Sequence, residues 1–320
     1  MKRILVTLPV EERHKRLLEN QAPHEEIICC SLNQVTRELA QSAHVVIGNV
    51  APGLLEGSTN LEWLQLHSAG TAPYADGMLR DGVILTNATG AYGLAIAEHL
   101  LGMTLCLQKK LHLYGRNQSQ ACWKDEGPVT SLMGATVLVV GLGDIGGEFA
   151  KRCKATGSRV IGFRRVARDC PEGVDEVHTL DRLDEWLPMA DLVSLSLPAT
   201  TETTRLFSAE RLARMKQGAI LLNVGRGTVL DQDALCDALE SGRLGGAGLD
   251  VTDPEPLPAG HRLWQAPNLI LTPHVSGGYH LAETFERIVR LSVGNLGRFL
   301  AGEPLASVVD FTTGYRRTEV

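Results

Sequence analysis

The stretch that most constrains this chain is "VLVVGLGDIGGEFA", residues 137–150. An apolar run of buried-strand type enters Gly141, Gly143 and Gly146 in G-x-G-x-x-G spacing, and a helix-like segment leads on to a second apolar run, "SRVIGF". The three glycines have distinct tasks in such a unit: the tight turn, close backbone approach to a diphosphate, and packing of helix on strand. Asp144 and Ile145 open the helix, where free amides and the helix dipole favour phosphate. Glycine-rich turns are common in α/β proteins, so the run alone is weak; strand, helix and next strand at the expected lengths make it a dinucleotide site.

The rest of the chain is patterned to match. Short apolar runs ("RILVTL", "EIICCSL", "HVVIGN", "LEWLQLHSAG", "GVILTN") alternate with amphipathic spacers, which predicts parallel strands with crossover helices, an α/β fold. Residues 91 to about 118 read as one long helix, apolar on most sides and therefore buried against a second domain or a partner. A second series of six strands follows, from "GATVLVVGLGDIG" to "LILTPH", enough for a doubly wound parallel sheet. A further helix and a short tail close the chain. Its 320 residues suffice for two domains.

Composition excludes more than it selects. A formal charge of -6 without a long basic tract gives no reason to expect nucleic-acid or membrane binding. No uncharged apolar run reaches membrane-spanning length, and the opening apolar run ends at Pro9 with charges at once, a first strand rather than a signal peptide. The seven cysteines are odd in number and never spaced CxxC, so no metal site is expected and they read as buried or incidental thiols in a reducing cytoplasm.

The second strand of the glycine-loop unit ends at Phe163. The next position, about 20 residues beyond the loop, carries an acid where ribose hydroxyls are bound. Here it is Arg164, followed by Arg165 and, further on, Arg168. Arginine cannot accept hydrogen bonds from a diol, but its planar fork suits a 2′-phosphate. A solvated basic loop is the bland alternative; the expectation is NADP as preferred cofactor, with NAD possible.

Three later segments put reactive residue types just beyond apolar strands: Arg226 in "NVGRG", Glu255 in "DVTDPEPLP" and His274 in "LILTPHVSGG". In an open parallel sheet such positions face the ligand crevice. Histidine suits proton transfer near neutral pH, a carboxylate orients the ring, and arginine grips a carboxylate and polarises a carbonyl. Singly, each has a bland reading: a turn histidine, a solvated acid, a capping arginine.

Together and in this order the three segments resemble the signatures of the NAD(P)-dependent D-isomer-specific 2-hydroxyacid dehydrogenase family, and Arg164 and Arg165 after the second strand resemble the pattern of its glyoxylate/hydroxypyruvate reductase branch. The resemblance extends to "LMGATVLVVGLGDIG" and "HRLWQAPNLILTPH", and covers nearly the whole chain; the first 60 residues match only in pattern. It implies a Rossmann-type dinucleotide domain, residues 99–285, inserted into a smaller flavodoxin-like substrate domain made of 1–98 and 286–320, with the two long helices carrying the crossings and the hinge. It also implies a homodimer.

The resemblance further implies that His274 protonates the carbonyl oxygen of a 2-oxo acid during reduction, that Glu255 pairs with its imidazole, and that Arg226 binds the substrate carboxylate and carbonyl. Asp250 matches the partner of the nicotinamide carboxamide. Thr203 lies in a segment near the diphosphate or ribose, and Pro198, Val224 and Gly225 are further expected cofactor contacts. Ser68, Ala69 and Gly70, in "HSAGTAPY", match a turn whose amides hold the substrate carboxylate together with Arg226 and His274. Thr252, Asp253 and Ser196 depart from common family residues, and Tyr74 falls where substrate-facing residues vary. Glu255 stands where the formate dehydrogenases of the superfamily place glutamine, which argues against formate.

The expected activity is hydride transfer from NADPH to glyoxylate, hydroxypyruvate or a similar 2-oxo acid, giving the D-2-hydroxy acid. Two alternatives stand beside it: an NAD-dependent dehydrogenase of another 2-hydroxy acid such as phosphoglycerate, and a non-catalytic dinucleotide-sensing interaction protein.

Overall fold

The structure is a computed structural model that describes residues 1–75, 77–166 and 170–311 and the backbone of 315 and 316. The chain divides into two compact units, one formed by residues 1–92 with 279–320 and the other by 93–278.

The first segment runs β1 (Arg3–Val6), α1 (Glu12–Gln21), β2 (Glu26–Cys29), α2 (Arg37–Ser42), β3 (Val45–Ile47), α3 (Pro52–Leu55), β4 (Trp63–Gln65) and β5 (Ile84–Thr86). Its strands form one parallel sheet in the order β2-β1-β3-β4-β5, the flavodoxin-like order implied by the resemblance. Strands β1, β3 and β4 are buried rather than alternating: β3 is apolar throughout, and β1 and β4 each carry one polar residue, Arg3 at the start and Gln65 at the end. The helices are short and locally specified: Thr36 caps α2 by accepting from the Leu39 amide at 3.2 Å.

The second unit opens with α4 (Gly93–Gln108) and α5 (Leu111–Ser119). The expected single helix over 91–118 is therefore broken, and the reason lies at Lys110, which turns into the left-handed region at φ 56°. Lysine side chains hold the turn to the segment that follows: Lys109 Nζ donates to the Thr130 carbonyl at 2.7 Å, and Lys110 Nζ donates to that of Glu126. In α4, Ile96, Ala97, Leu100, Met103, Thr104 and Leu107 form a buried stripe at helical spacing. The stripe lies against "GAGL" of a sheet strand, where a Cβ at Gly248 would meet the Met103 sulfur at 2.8 Å; glycine there lets helix and sheet approach.

The unit continues β6 (Thr136–Val140), α6 (Asp144–Ala155), β7 (Arg159–Phe163), β8 (Glu176–His178), α7 (Leu183–Trp186), β9 (Leu192–Leu195), α8 (Ala209–Arg214), β10 (Ile220–Asn223), α9 (Gln232–Glu240), β11 (Gly246–Leu249) and β12 (Leu269–Leu271). Seven parallel strands lie in the order β12-β11-β10-β9-β6-β7-β8. Counted from β6 this is the doubly wound order of dinucleotide-binding sheets, extended by one strand. The six expected strands are present, and β8 was not expected: "EVH" is a half-buried edge strand with one strongly apolar residue, too short to show a period. The order reverses between β6 and β9, and at such a switch point ligands sit beyond the carboxyl ends of the strands.

The chain returns to the first unit in α10 (Ala282–Ala301), stopped by Gly302 at φ 71°. Its Asn295 is buried and donates to Gln65 Oε1 at 2.9 Å, which also accepts from Thr86; Thr86 in turn accepts from the Trp63 indole at 2.8 Å. A buried polar network of this kind costs little only because each member has a partner. Among the described residues no helix is long and apolar enough to cross a membrane.

Candidate active site

At the end of β6, Gly141 takes φ 106°, and a Cβ there would lie 2.8 Å from the Ser196 carbonyl oxygen. The Ser196 hydroxyl donates to the Gly141 carbonyl at 2.8 Å and ties the loop to the end of β9. A Cβ at Gly146 would stand 1.9 Å from the Gly141 oxygen, so no side chain fits there, whereas one at Gly143 would meet nothing within 4 Å among the described residues. The loop is thus closed on its protein side and open at the start of α6, where Ile145 and Gly146 fall in the first turn. The residues fit the diphosphate of a dinucleotide: an open approach to a helix N-terminus with glycine at the point of contact. Asp144 turns its carboxylate to a structural partner, accepting from the Gly93 amide at the start of α4 at 2.7 Å.

Arg164 is the first residue past β7, and its amide donates to the His178 carbonyl at 3.1 Å. Arg165 beside it is exposed. Both follow the strand adjacent to β6, where the adenosine ribose end of a dinucleotide falls in this sheet order. Arg168 lies outside the described residues.

Beyond β9, Thr203 is buried and its hydroxyl donates to the Pro198 carbonyl at 2.6 Å while accepting from the Thr200 amide at 2.8 Å. It builds the 198–204 turn from inside, and Pro198 lies half buried at the turn's start. Beyond β10, Val224 is buried and Gly225 is packed so that a Cβ would meet the Leu197 carbonyl at 2.4 Å. Arg226 follows half buried, with Nη1 donating to the Gly225 carbonyl at 2.7 Å. Asn223 holds this corner, its side chain accepting from the Gly225 amide and donating to the Arg226 carbonyl.

Parallel register brings the next two loops alongside. Asn223 pairs with Leu249 and Leu249 with Leu271, so Arg226, Glu255 and His274 all leave the carboxyl ends of three adjacent strands. Gly227 makes the first contact: a Cβ there would lie 2.0 Å from the Thr252 carbonyl carbon, so the Arg226 loop and the Glu255 loop touch backbone to backbone. His274 Nδ1 then lies 2.8 Å from Glu255 Oε2, and Glu255 Oε1 accepts from the Thr252 amide at 3.0 Å. A carboxylate only accepts, so the proton sits on Nδ1 and Nε2 becomes the atom able to give or take one.

Asp250 is 1% exposed. Its Oδ1 accepts from the Thr272 hydroxyl at 2.6 Å and the Val275 amide at 3.0 Å; its Oδ2 accepts from the Ser276 amide at 3.1 Å and the Ser276 hydroxyl. Burial works to raise its pKa, but these four bonds outweigh it and hold the carboxyl below its ordinary value.

In the first unit, the turn after β4 is held by two asparagines. Asn49 accepts from the His67 amide and donates to the Ser68 hydroxyl, both at 2.9 Å, and buried Asn87 donates to the Ala69 carbonyl at 2.7 Å. Ser68 also donates to the Gly70 carbonyl at 2.6 Å, so the turn is rigid before any ligand arrives. Tyr74 is buried, its hydroxyl donating to the Val50 carbonyl at 2.8 Å. The sequence reading did not single out Asn49 and Asn87. The signal was present: each stands just past an apolar strand run, in "VVIGN" and "ILTN".

Comparison with known proteins agrees with this geometry. Residues 101–276 match the family described as D-isomer specific 2-hydroxyacid dehydrogenase, NAD binding domain. A crystal structure of a D-isomer specific 2-hydroxyacid dehydrogenase family protein from Aeromonas salmonicida subsp. salmonicida is 36% identical with a TM-score of 0.86, over 97% of this chain and 99% of that one. A member from Xanthobacter autotrophicus Py2, in complex with NADPH and MES, is 29% identical with a TM-score of 0.81, over 98% and 99%. A glyoxylate reductase from Korarchaeum cryptofilum is 34% identical over 230 residues, 69% of this chain and 68% of its own length. The chain belongs to the D-isomer specific 2-hydroxyacid dehydrogenase family, nicotinamide-dinucleotide oxidoreductases acting on CH–OH groups.

Proposed function

We propose that this chain is an NADPH-preferring reductase of a small 2-oxo acid, with glyoxylate and hydroxypyruvate the leading substrates. The observation that carries the reading is the His274–Glu255 pair beside Arg226 at the ends of adjacent strands. The cofactor preference rests on Arg164 and Arg165, which stand after β7 in place of an acid. Two relatives support it: the Xanthobacter protein holds NADPH, and the Korarchaeum protein is a glyoxylate reductase.

In this reading the unit of residues 93–278 binds the dinucleotide and the unit of both chain ends binds substrate. Gly141, Gly143, Asp144, Ile145 and Gly146 bind the diphosphate through backbone, with Pro198, Thr203, Val224 and Gly225 shaping the adjoining walls. Bound NADPH supplies the hydride. Arg226 pairs with the substrate carboxylate and draws charge from the carbonyl oxygen. The amides of Ser68, Ala69 and Gly70 bind the same carboxylate. His274 delivers the Nε2 proton to the carbonyl oxygen, while Glu255 on Nδ1 orients the ring. In the oxidative direction the same Nε2 takes the proton back.

We further propose a homodimer. Its support is apolar exposure along one stretch of the second unit, at Leu105, Leu111, Trp123 and Met133.

The deciding experiment is a panel of glyoxylate, hydroxypyruvate, pyruvate and phosphohydroxypyruvate, each assayed with NADPH and with NADH. Loss of nicotinamide absorbance fastest with glyoxylate or hydroxypyruvate and NADPH is expected. Turnover confined to phosphohydroxypyruvate with NADH would replace this reading by a phosphoglycerate dehydrogenase. Tight dinucleotide binding without turnover on any acid would replace it by a sensor.

A further inference from the structure

His274 sits at φ 52°, a left-handed conformation that costs an L-residue energy and must be held by its surroundings. The Asp250 carboxylate does the holding: it grips the residues on both sides, Thr272 before and Val275 and Ser276 after, while the His274 amide donates to the Asp250 carbonyl at 2.8 Å.

The grip extends one residue further. His99, on α4, lies with Nε2 3.1 Å from the Thr272 hydroxyl oxygen. The direction of each bond follows from chemistry. Asp250 Oδ1 is a carboxylate oxygen and only accepts, so the Thr272 proton points to it. The Thr272 oxygen then offers lone pairs to His99, which must carry its proton on Nε2. A chain of donors thus runs from helix to hydroxyl to carboxylate, and the carboxylate anchors the turn that carries His274.

We propose that His99 is a positioning residue for this reaction: through Thr272 and Asp250 it fixes the turn that aims the His274 imidazole at Glu255. The assignment rests on the reading of His274 as the proton donor. It gives Asp250 a task inside the protein beyond any contact with the nicotinamide carboxamide. A half-buried histidine that merely filled space on α4 would need no particular donor atom, and that difference is what the test uses.

The variants are His99→Leu, which keeps bulk and loses the donor, His99→Gln, whose amide nitrogen can donate to Thr272 in place of Nε2, and Thr272→Val. All are made in the full chain and assayed with NADPH and glyoxylate. His99→Leu should lower kcat about tenfold, the scale of one lost buried hydrogen bond, with the dinucleotide Kd held within about twofold. His99→Gln should restore most of the loss. The double variant His99→Leu with Thr272→Val should be no slower than Thr272→Val alone, because both break one chain of bonds. Parental kcat in His99→Leu, or a His99→Gln variant as slow as His99→Leu, overturns the proposal.

Crystal structures of the parent and His99→Leu give a reading that does not depend on turnover. Displacement of the His274 ring from Glu255 by about 1 Å, enough to impair catalysis, is expected; an unmoved turn overturns the assignment. His274→Ala separates the two levels. If it keeps parental turnover, the proton-transfer reading fails, while the crystal structures still decide whether His99 sets the turn.

Discussion

The imidazole Nδ1 of His274 lies 2.8 Å from Glu255 Oε2, although the two residues leave different strands of the sheet. That bond leaves Nε2 as the ring nitrogen that the proposed reaction uses. His274→Ala should remove turnover while dinucleotide binding, followed by NADPH fluorescence, stays near the parental value. Glu255→Gln keeps an acceptor for Nδ1 but loses the carboxylate beside the ring, and kcat should fall on the order of 10²-fold. Parental kcat in either variant would remove the pair from the mechanism.

In the proposed reading Arg164 makes the choice between ribose hydroxyls and a 2′-phosphate. Arg164→Asp replaces a bidentate cation by a diol acceptor, and NADPH should weaken by about 10- to 100-fold, the range of a charge-assisted pair. NADH should weaken little or tighten. Titration of both cofactors checks it; equal losses return the stretch to a solvated turn.

Gly146 tolerates no side chain. In Gly146→Ala the new methyl would fall 1.9 Å from the Gly141 carbonyl oxygen, so α6 or the glycine loop must move. Urea unfolding should show a loss of about 1–3 kcal/mol, and the displaced loop should bind dinucleotide poorly. Gly143→Ala meets no atom of the described residues within 4 Å and should fold normally while losing affinity through contact with the ligand itself. Wild-type binding in both variants would contradict the assignment of the loop.

Burial pushes the His67 imidazole below its ordinary pKa of 6.5, and its Nδ1 has no hydrogen-bond partner among the described residues. The folded protein therefore keeps His67 neutral where the unfolded chain would protonate it. Above about pH 6.5 both states are neutral and His67 exacts no penalty; as pH falls below that value, protons favour the unfolded chain and stability drops until the folded pKa is passed. Thermal unfolding between pH 8 and pH 5 should show this loss, and His67→Phe should flatten that part of the profile. An unchanged slope in the variant would assign the loss to other groups.

Much of the architecture is legible in the sequence. Parallel strands covered on both faces are near-continuous apolar runs, so "ILV", "VVI" and "VLVV" announce themselves, and G-x-G-x-x-G after such a run announces the switch-point loop. What was misread had weak local signals. The break between α4 and α5 depends on two lysines reaching carbonyls beyond residue 125, and β8 is too short to carry a period. Thr203 and Asp144 are expected site residues by their position, and their side chains are bonded to the Pro198 carbonyl and the Gly93 amide.

The sequence by itself determined which residues stand at strand ends, because periodicity and glycine spacing are properties of neighbours along the chain. Only the tertiary structure decided which of them meet. His99 and Thr272 are 173 residues apart, and Asp250 and Ser276 are 26 apart; no local pattern links them. The link is made by the register of β10, β11 and β12 and by the packing of α4 on that sheet. Hydrogen bonds act over about 3 Å, so their partners are chosen by how the strands and helices pack, not by position along the chain.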